Sequence, residues 1–249
     1  VFVDKYALQT TEGEYLELTP VDMHHRLAKE FARIEKKYPN PLSEERIFSL
    51  LDRFQHIVPQ GSPMSAIGNP YQLQSLSNCF VVQGVYSNKL DSYGGIMLAD
   101  QELAQIMKRR GGVGLDISGI RPKDTLTANA AKTTDGIGVF MERFSNTCRE
   151  VAQNGRRGAE MITISVNHPE IETFINIKRN LKKVTGANIS IRFNDQFMKA
   201  VKKNEKYTLR WPVDATPENA KITKIVDAKN IWDQVIDAAW TAAEPGVLF

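Results

Sequence analysis

The sequence predicts an α/β protein in which a helical layer precedes strands and helices that alternate along the chain. Two observations predict this class. Residues 1–56 carry apolar side chains at helical spacing, and from residue 57 onward short apolar runs alternate with helical patterns. Alternating strands and helices are typical of a mostly parallel sheet or barrel. We find no internal repeat, low-complexity tract or flexible linker.

The first helix is predicted from its start signal. Thr19 is a candidate N-cap, Pro20 suits the first helical position, and Asp22 stands where a capping acid belongs. Apolar residues then recur at helical spacing until the chain reaches Pro-Asn at 39–40; they are Met23, Leu27, Phe31 and Ile34. A second helix is predicted from Ser43, with Ile47, Leu50, Leu51 and Phe54 facing inward.

The remaining elements follow from the alternation after residue 57. Strands are predicted at residues 78–83, 112–117, 161–166, 187–193 and 207–213, the last as a strand or a hairpin arm. Five helices are predicted in this part of the chain. One ends at Arg110, one spans 138–153, one opens at His168-Pro169, one is capped by Asn194 and one spans 230–243. The last helix has Ile231, Val235, Ile236, Ala239 and Trp240 inward. Residues 246–249 begin another strand, and its unpaired edge predicts a partner piece.

Composition excludes several functional classes. The chain has 249 residues, 42% of them hydrophobic and 24% charged, as in an ordinary globular protein. A net charge of +3, with basic and acidic residues mixed, is too mild to indicate nucleic-acid binding. We expect no membrane span and no signal peptide. Two distant cysteines and four scattered histidines predict a reducing cytoplasm and no metal site.

Three polar, glycine-containing segments are candidate binding sites. The first joins residues 60–65 to 74–80, where small hydroxyl side chains and glycine amides suit phosphate oxygens and Cys79 stands where a strand begins. Composition alone leaves Cys79 open between a buried small thiol and a catalytic group. The other cysteine, Cys148, shares a helical apolar stripe with Phe140 and Phe144, which predicts core packing.

The second segment, residues 108–123, surrounds a glycine-rich turn with basic residues, which suits a nucleoside di- or triphosphate. It is neither a Walker A loop nor a Rossmann fingerprint. The third, residues 153–160, places two arginines between glycines; a helix C-cap at Gly155 and a ligand-binding loop both remain open. Residues 122–137 are the longest stretch without periodicity, which is typical of a functional loop. His168 is predicted to be a helix-start residue and not a base.

Together and in this order, these segments resemble the catalytic (large) subunit of ribonucleotide reductase. The resemblance lies in residues 62–65, 76–82, 110–114, 120–122, 154–159, 168–171 and 185–190, and it runs from about Tyr6 to Phe249. It implies a ten-stranded α/β barrel of two parallel halves preceded by helices. Residues 1–56 would be the N-terminal helical region, and residues 57–249 the first, incomplete half of the barrel.

The resemblance also implies site residues. Cys79 matches one of the cysteine pair that becomes a disulfide as the ribose loses its 2′-hydroxyl. The substrate-binding residues would be Ser62, Pro63, Ser77, Asn78, Arg157 and Gly158. Asn88, Asp91 and Arg121 would bind an allosteric effector, which is ATP or a deoxynucleoside triphosphate in the family.

The family's radical cysteine, its acid–base residues and its second redox cysteine lie beyond the equivalent of Phe249. We therefore expect that this polypeptide alone reduces nothing and is truncated or one half of a split enzyme. The N-terminus leaves no room for the family's ATP cone. The expected radical source is a metal-containing small subunit or adenosylcobalamin, with no cofactor bound directly by this chain.

The expected partners are the C-terminal portion of the reductase, a second copy bound through the effector-site helices, a radical-generating small subunit, and a thioredoxin- or glutaredoxin-type reductant. Two alternatives to a catalytic role for this chain remain. One is a nucleotide-binding and dimerisation module whose partner carries the chemistry. The other is an unrelated α/β nucleotide-binding protein in which Cys79 is inert.

Overall fold

A computed structural model of the chain describes residues 1–83, 88–151 and 158–249, with Asn88 described by its backbone only. These residues form two compact units. The first comprises Val1–Phe80 and Ile106–Gly112, and the second comprises the described residues of Val81–Gln105, Val113–Val151 and Gly158–Phe249. No helix among the residues described is both long and apolar enough to cross a membrane.

The first unit begins with helices, of which the sequence predicts the two that start at Pro20 and Glu44. The helices are α1 (Phe2–Lys5), α2 (Pro20–Glu35), α3 (Glu44–Leu51) and α4 (Gly61–Ala66). The capping box of α2 is confirmed, because the Thr19 hydroxyl accepts from the Asp22 amide while the Asp22 carboxylate accepts from the Thr19 amide. The Ser43 hydroxyl caps α3 in the same way by accepting from the Arg46 amide.

Helices α2 and α3 pack on a small apolar core of Met23, Leu27, Ala28, Ile47 and Leu51. The predicted inward position of Phe54 is wrong, since Phe54 is 37% exposed, and Phe31 is 36% exposed although it follows the helical spacing of α2. Each step of four residues turns a helix about 40° past a full turn, which carries Phe31 off the stripe that Met23 begins. The chain leaves helical geometry after α3, where Phe54 adopts a φ of 55° and its side chain departs from the helix face.

The other elements alternate between strand and helix as predicted, except for one pair of consecutive strands. In chain order they are β1 (Cys79–Val82), α5 (Tyr93–Met107), β2 (Gly112–Asp116), α6 (Ile137–Glu150), β3 (Glu160–Ser165), α7 (Ile171–Asn176), β4 (Asn188–Arg192), α8 (Asp195–Lys203), β5 (Lys206–Trp211), β6 (Ile222–Asp227), α9 (Ala228–Ala242) and β7 (Gly246–Leu248). Asn194 caps α8 by accepting from the Phe197 amide, as predicted.

Five strands form one sheet in the order β1-β2-β3-β4-β7. The pairs β2–β3, β3–β4 and β4–β7 are parallel. This confirms the α/β class, and it confirms that the last residues of the sequence start a strand. Alternate positions of β3 and β4 point to opposite faces, so Ile162, Ile164, Ile189 and Ile191 lie on one face and Thr163, Ser190 and Arg192 on the other.

Strand β5 is a hairpin arm, one of the two readings that its sequence allowed. It pairs antiparallel with β6, with Trp211 opposite Ile222 at one end. The sequence did not predict β6, because four of its six residues are exposed and it therefore lacks an apolar pattern.

Helix α9 buries Ile231, Val235 and Ala238, which recur at four and three residues along one side. The predicted burial of Ile236 and Trp240 is wrong, since these side chains are 52% and 90% exposed. One residue along a helix turns the side chain by about 100°, so Ile236 points away from the side that Val235 buries.

Candidate functional site

Cys79 is the first residue of β1 and its thiol is exposed. Cys148 differs from Cys79 in exposure. It is buried in α6 at 1% exposure, which confirms the predicted core packing. Burial, assisted by the nearby Glu160 carboxyl, raises the pKa of the Cys148 thiol to about 11. Because the thiolate is the reactive form, Cys79 is the chain's candidate redox thiol.

A set of hydrogen bonds fixes the backbone just before Cys79. The Asn78 side-chain oxygen accepts from the Ser62 amide at 2.8 Å, and the Asn78 carbonyl accepts from the Gly112 amide at 2.6 Å. The Ser62 hydroxyl in turn donates to the Arg110 carbonyl at 2.9 Å. Three segments that are distant in sequence therefore meet within the first unit and hold the start of β1 in place.

Ser62 is thus placed beside Asn78, but it is only 1% exposed and both of its donors are used within the protein. Pro63 follows it in the first turn of α4. Ser77 is exposed, and its amide donates to the Ser75 hydroxyl at 3.0 Å. Among the predicted substrate residues Ser62, Pro63, Ser77 and Asn78, Ser77 offers the most accessible side chain, and the roles of all four stay predictions.

Two further predicted substrate residues are Arg157 and Gly158. Gly158 belongs to the second unit, two residues before β3 begins. Arg157, with residues 152–156 and the proposed C-cap at Gly155, lies outside the described residues.

The glycine-rich basic turn has a structural explanation for part of its pattern. A side chain at Gly111 would place its Cβ 2.5 Å from Ile106 and 3.0 Å from the Phe80 ring. Glycine is therefore required where this turn passes the aromatic ring. The Arg110 guanidinium donates to the Lys5 carbonyl at 2.7 Å and lies 5.9 Å from the Tyr6 ring centroid. Arg110 thus contributes to the packing of the first unit.

The predicted effector residues Asp91 and Arg121 form an ion pair in the second unit. The Arg121 Nε donates to Asp91 Oδ1 at 2.6 Å, and an Nη donates to the Leu126 carbonyl at 2.8 Å. A cavity of about 490 Å³ opens beside this pair, lined by residues of 90–96, 120–121 and 127–135 and by Phe140. The side chain of Asn88, the third predicted effector residue, is not among those described.

One carboxylate holds both ends of the long loop at 122–137 that lines this cavity. Glu170 accepts from the Lys123 amide and from the Ile137 amide, each at 3.1 Å. A side chain at Gly136 would place its Cβ 2.4 Å from that carboxylate, and the glycine has a φ of 77°. The loop is also bridged internally between Leu126 and Thr133. The sequence marked this loop by its lack of periodicity, but only the fold identifies Glu170 as its anchor.

His168 supports the same region from the interior. Its side chain is fully buried, Nδ1 accepts from the Glu170 amide at 3.1 Å, and Nε2 therefore donates to the Ile120 carbonyl at 2.8 Å. Burial lowers the pKa of His168 to about 4, so the ring is neutral at physiological pH. Both ring nitrogens of His168 form hydrogen bonds within the protein, so His168 serves to position Glu170.

A buried polar cluster on the second face of the sheet was missed by sequence reasoning. Asp116 at the end of β2 accepts from the Thr163 hydroxyl at 2.8 Å and pairs with Arg192 at 2.9 Å. The partners are 47 and 76 residues from Asp116. The polar residues at alternate positions of β3 and β4 were the available signal, since a parallel strand buried on both faces is normally apolar throughout.

Glu160, the first residue of β3, is a second group whose burial the sequence did not predict. It is 5% exposed, and neither carboxyl oxygen has a hydrogen-bond partner. Burial, with the nearby Asp100 carboxylate, raises the pKa of Glu160 to about 8. Across the described ranges, no group of three or more His, Cys, Asp or Glu side chains is arranged to hold a metal ion.

The known proteins that resemble this chain agree with one another in their names. The family described as "Ribonucleotide reductase, barrel domain" matches residues 77–249. A vitamin B12-dependent ribonucleoside-diphosphate reductase of Thermoplasma acidophilum is 34% identical over 207 residues, covering 82% of this chain and 25% of that protein. One of the same name from Mycobacterium tuberculosis is 27% identical over 254 residues, covering 100% and 35%. The ribonucleoside-diphosphate reductase large chain of Neurospora crassa is 28% identical, covering 70% and 21%.

The chain therefore spans between 21% and 35% of the length of these relatives. Its parallel sheet with intervening helices fits the first part of an α/β barrel. Since the barrel-domain description covers most of the chain, this protein belongs to the ribonucleotide reductase family.

Proposed function

We propose that this chain is the N-terminal portion of the catalytic subunit of a ribonucleotide reductase and that Cys79 is one of its two reducing thiols. The observation that carries the proposal is the exposed thiol at the start of β1, held by the bonds among Ser62, Asn78 and Gly112. A thiol that gives up electrons beside a sugar must be accessible and fixed in position. Cys79 meets both conditions, whereas Cys148 is buried.

The proposed step balances with two thiols. The ribose C2′–OH bond breaks, a C2′–H bond forms, the hydroxyl leaves as water, and two thiols lose two electrons and two protons to become a disulfide. Cys79 supplies one thiol. The sequence holds two cysteines and Cys148 is buried, so the second thiol comes from outside these residues. The C-terminal portion of the reductase and a thioredoxin- or glutaredoxin-type reductant are the partners that this chemistry requires.

The substrate proposed is a ribonucleoside diphosphate, because the three relatives described above carry that name. Ser77 and Asn78, which flank the thiol on its N-terminal side, are proposed to contact it together with Ser62, Pro63, Arg157 and Gly158. The first portion of the subunit is proposed to divide into a helical region at 1–56 and a half-barrel at 57–249.

Allosteric control is proposed at the cavity beside Asp91 and Arg121. The cavity volume of about 490 Å³ suits a nucleoside, and the ion pair places a carboxylate and a guanidinium where a sugar and phosphates need them. A deoxynucleoside triphosphate or ATP is the proposed effector. The helices α5 and α6 that flank the cavity are proposed to pair with those of a second copy.

The radical source proposed is adenosylcobalamin, since two of these relatives are named vitamin B12-dependent. When bound, it would supply the radical that activates the ribose. The groups at the start of β1 are a hydroxyl, an amide and a thiol, which fit a nucleotide and include no imidazole to bind cobalt. We therefore assign adenosylcobalamin to no residue of this chain.

Thiol alkylation of the full protein that contains this chain tests the proposal. At neutral pH, iodoacetamide is expected to modify Cys79 and to leave Cys148 unmodified, because Cys148 is buried and its pKa is about 11. A ribonucleoside diphosphate is expected to slow the modification of Cys79 several-fold, as followed by mass spectrometry of the peptides that contain each cysteine.

The Cys148→Ala variant provides the control, since this chain then contributes a single thiol to the measurement. Inorganic pyrophosphate should protect less than the nucleotide does. Equal rates for Cys79 with and without the ribonucleoside diphosphate would refute the assignment of the thiol to the substrate site.

A further inference from the structure

Helix α9 has a polar side that contacts α7 and an apolar side that the described residues leave uncovered. On the polar side, the Asn176 side-chain amide donates to Gln234 at 3.2 Å, and Gln234 donates to the Glu172 carboxylate at 3.3 Å. Ile236 follows Gln234 by two residues, so a rotation of about 200° places it on the opposite side of the helix. Ile236 is 52% exposed, and Trp240, one turn later, is 90% exposed.

The edge strand of the sheet is also apolar and uncovered. β7 is the last strand in the order of the five-stranded sheet. Val247 lies opposite Ile191 in the β4–β7 register, so its side chain is on the same face as the buried Ile191, yet it is 45% exposed. Phe249, two residues later, points to that face as well and is 84% exposed.

A chain of aromatic contacts joins the helix to the edge strand. The Phe193 ring centroid lies 5.2 Å from that of Trp232 on α9 and 6.0 Å from that of Phe249. Exposed apolar surface of this kind marks a contact site on a folded protein. We name this surface the α9–β7 patch, and its members are Ile236, Trp240, Val247 and Phe249.

The chemistry of the patch calls for an apolar occupant that also extends the sheet. A parallel sheet is normally covered on both faces, and an unpaired apolar edge strand requires a partner. The charged neighbours of the patch on α9 are Lys229 and Asp233, which pair with each other and so attract no charged partner. The chain spans between 21% and 35% of the length of its relatives, which leaves ample chain for such an occupant in a protein of their size.

We infer that the α9–β7 patch is the surface on which the C-terminal portion of the same subunit packs, with Trp240 as the apolar anchor of the interface. The inference rests on the proposed function, which makes this chain the N-terminal portion of a longer subunit. A tryptophan buries a large area at a contact and often contributes much of its binding energy. The second copy proposed above binds through α5 and α6, so the patch stays available to its own subunit.

Hydroxyl-radical oxidation of the full protein that contains this chain, followed by peptide mass spectrometry, tests the inference. Trp240 is expected to oxidise roughly tenfold more slowly in the native protein than in urea, because an interface excludes water from its anchor. Leu181 is 80% exposed outside the patch and is the internal control, with similar rates expected in both states. Equal rates for Trp240 in the native and unfolded protein overturn the inference.

A charge placed in the patch provides the matched pair of variants. Trp240→Glu is expected to raise the oxidation of Ile236 and Val247 several-fold in the native protein, because an unpaired charge is costly in an apolar interface. Leu181→Glu adds the same charge outside the patch and should leave both rates unchanged. Unchanged rates in Trp240→Glu also overturn the inference.

Photo-cross-linking identifies the occupant. With p-benzoylphenylalanine in place of Trp240, a cross-linked peptide from the C-terminal portion supports the inference. A cross-link to residues 228–249 of a second copy, or to another protein, overturns it.

These outcomes are separable from the proposed function, because neither measurement depends on nucleotide chemistry. A rapidly oxidised Trp240 in a protein that reduces ribonucleotides overturns the inference and leaves the proposed function standing. A protected Trp240 that cross-links to the C-terminal portion supports the interface even where Cys79 proves dispensable for turnover.

Discussion

Cys79→Ser is expected to reduce multiple-turnover ribonucleotide reduction by roughly three orders of magnitude or more in the full enzyme that contains this chain. A serine hydroxyl fills nearly the same space but cannot form a disulfide, so the two electrons for the ribose have no donor at this position. Ribonucleotide affinity should change little, because Ser62, Ser77 and Asn78 keep their places. Product formation over many turnovers and equilibrium binding of the substrate are the two measurements.

Cys148→Ala is the matched control for Cys79→Ser. It removes the other thiol from a fully packed position in α6. It should retain turnover while lowering the free energy of unfolding by about 1 kcal/mol, since a small buried group is lost. If Cys79→Ser retains turnover instead, the chain acts as a nucleotide-binding and dimerisation module whose partner carries the chemistry.

Glu160→Gln is expected to stabilise the protein by about 3 kcal/mol near pH 7, an unusual direction for a core substitution. The Glu160 carboxyl has a pKa of about 8 in the folded protein, raised by burial and then by Asp100, against 4.5 as the ordinary value. At neutral pH the folded state therefore keeps a proton that the unfolded state releases. That release favours unfolding, and glutamine removes it without adding a charge.

The pH dependence gives the sign of this effect. The stabilisation that the unaltered carboxyl contributes is complete below its unfolded pKa of 4.5 and is lost as the pH rises toward its folded pKa of about 8. Unaltered protein and Glu160→Gln should thus unfold at similar urea concentrations near pH 4 and diverge steadily above it. Glu150→Gln, at an exposed position of α6, is the control and should show no divergence. Parallel curves for Glu160→Gln and the unaltered protein would mean that the carboxyl is ionised in the fold.

Glu160 lies on the apolar face of the sheet. Its Cα lies opposite Val113 of β2, and its side chain is on the same face of β3 as Ile162 and Ile164. A carboxyl without a hydrogen-bond partner in such a place is costly, and such costs concentrate at functional positions. The stability measurement therefore also tests the cost of burying this unpartnered carboxyl in the sheet.

The sequence by itself determined the local features of this protein. The caps at Thr19, Ser43 and Asn194 and the alternation of strands and helices were predicted, because they depend on residues within a few positions of each other. The strand start at Cys79 and the buried Cys148 on a helix follow from equally local patterns, whereas the sequence left open whether the Cys79 thiol is buried, and the structure shows it exposed.

Only the tertiary structure decided which distant residues meet. Arg121 pairs with Asp91 across 30 residues, and Glu170 accepts from the amide of Lys123, 47 residues earlier. Lys221 lies near the Trp211 ring because the hairpin pairs Trp211 with the adjacent Ile222. It also decided that Trp240 is exposed although it follows the helical pattern. Local propensity fixes which residues share an element, whereas strand register and packing fix which elements touch, and neither of these is encoded within one short segment.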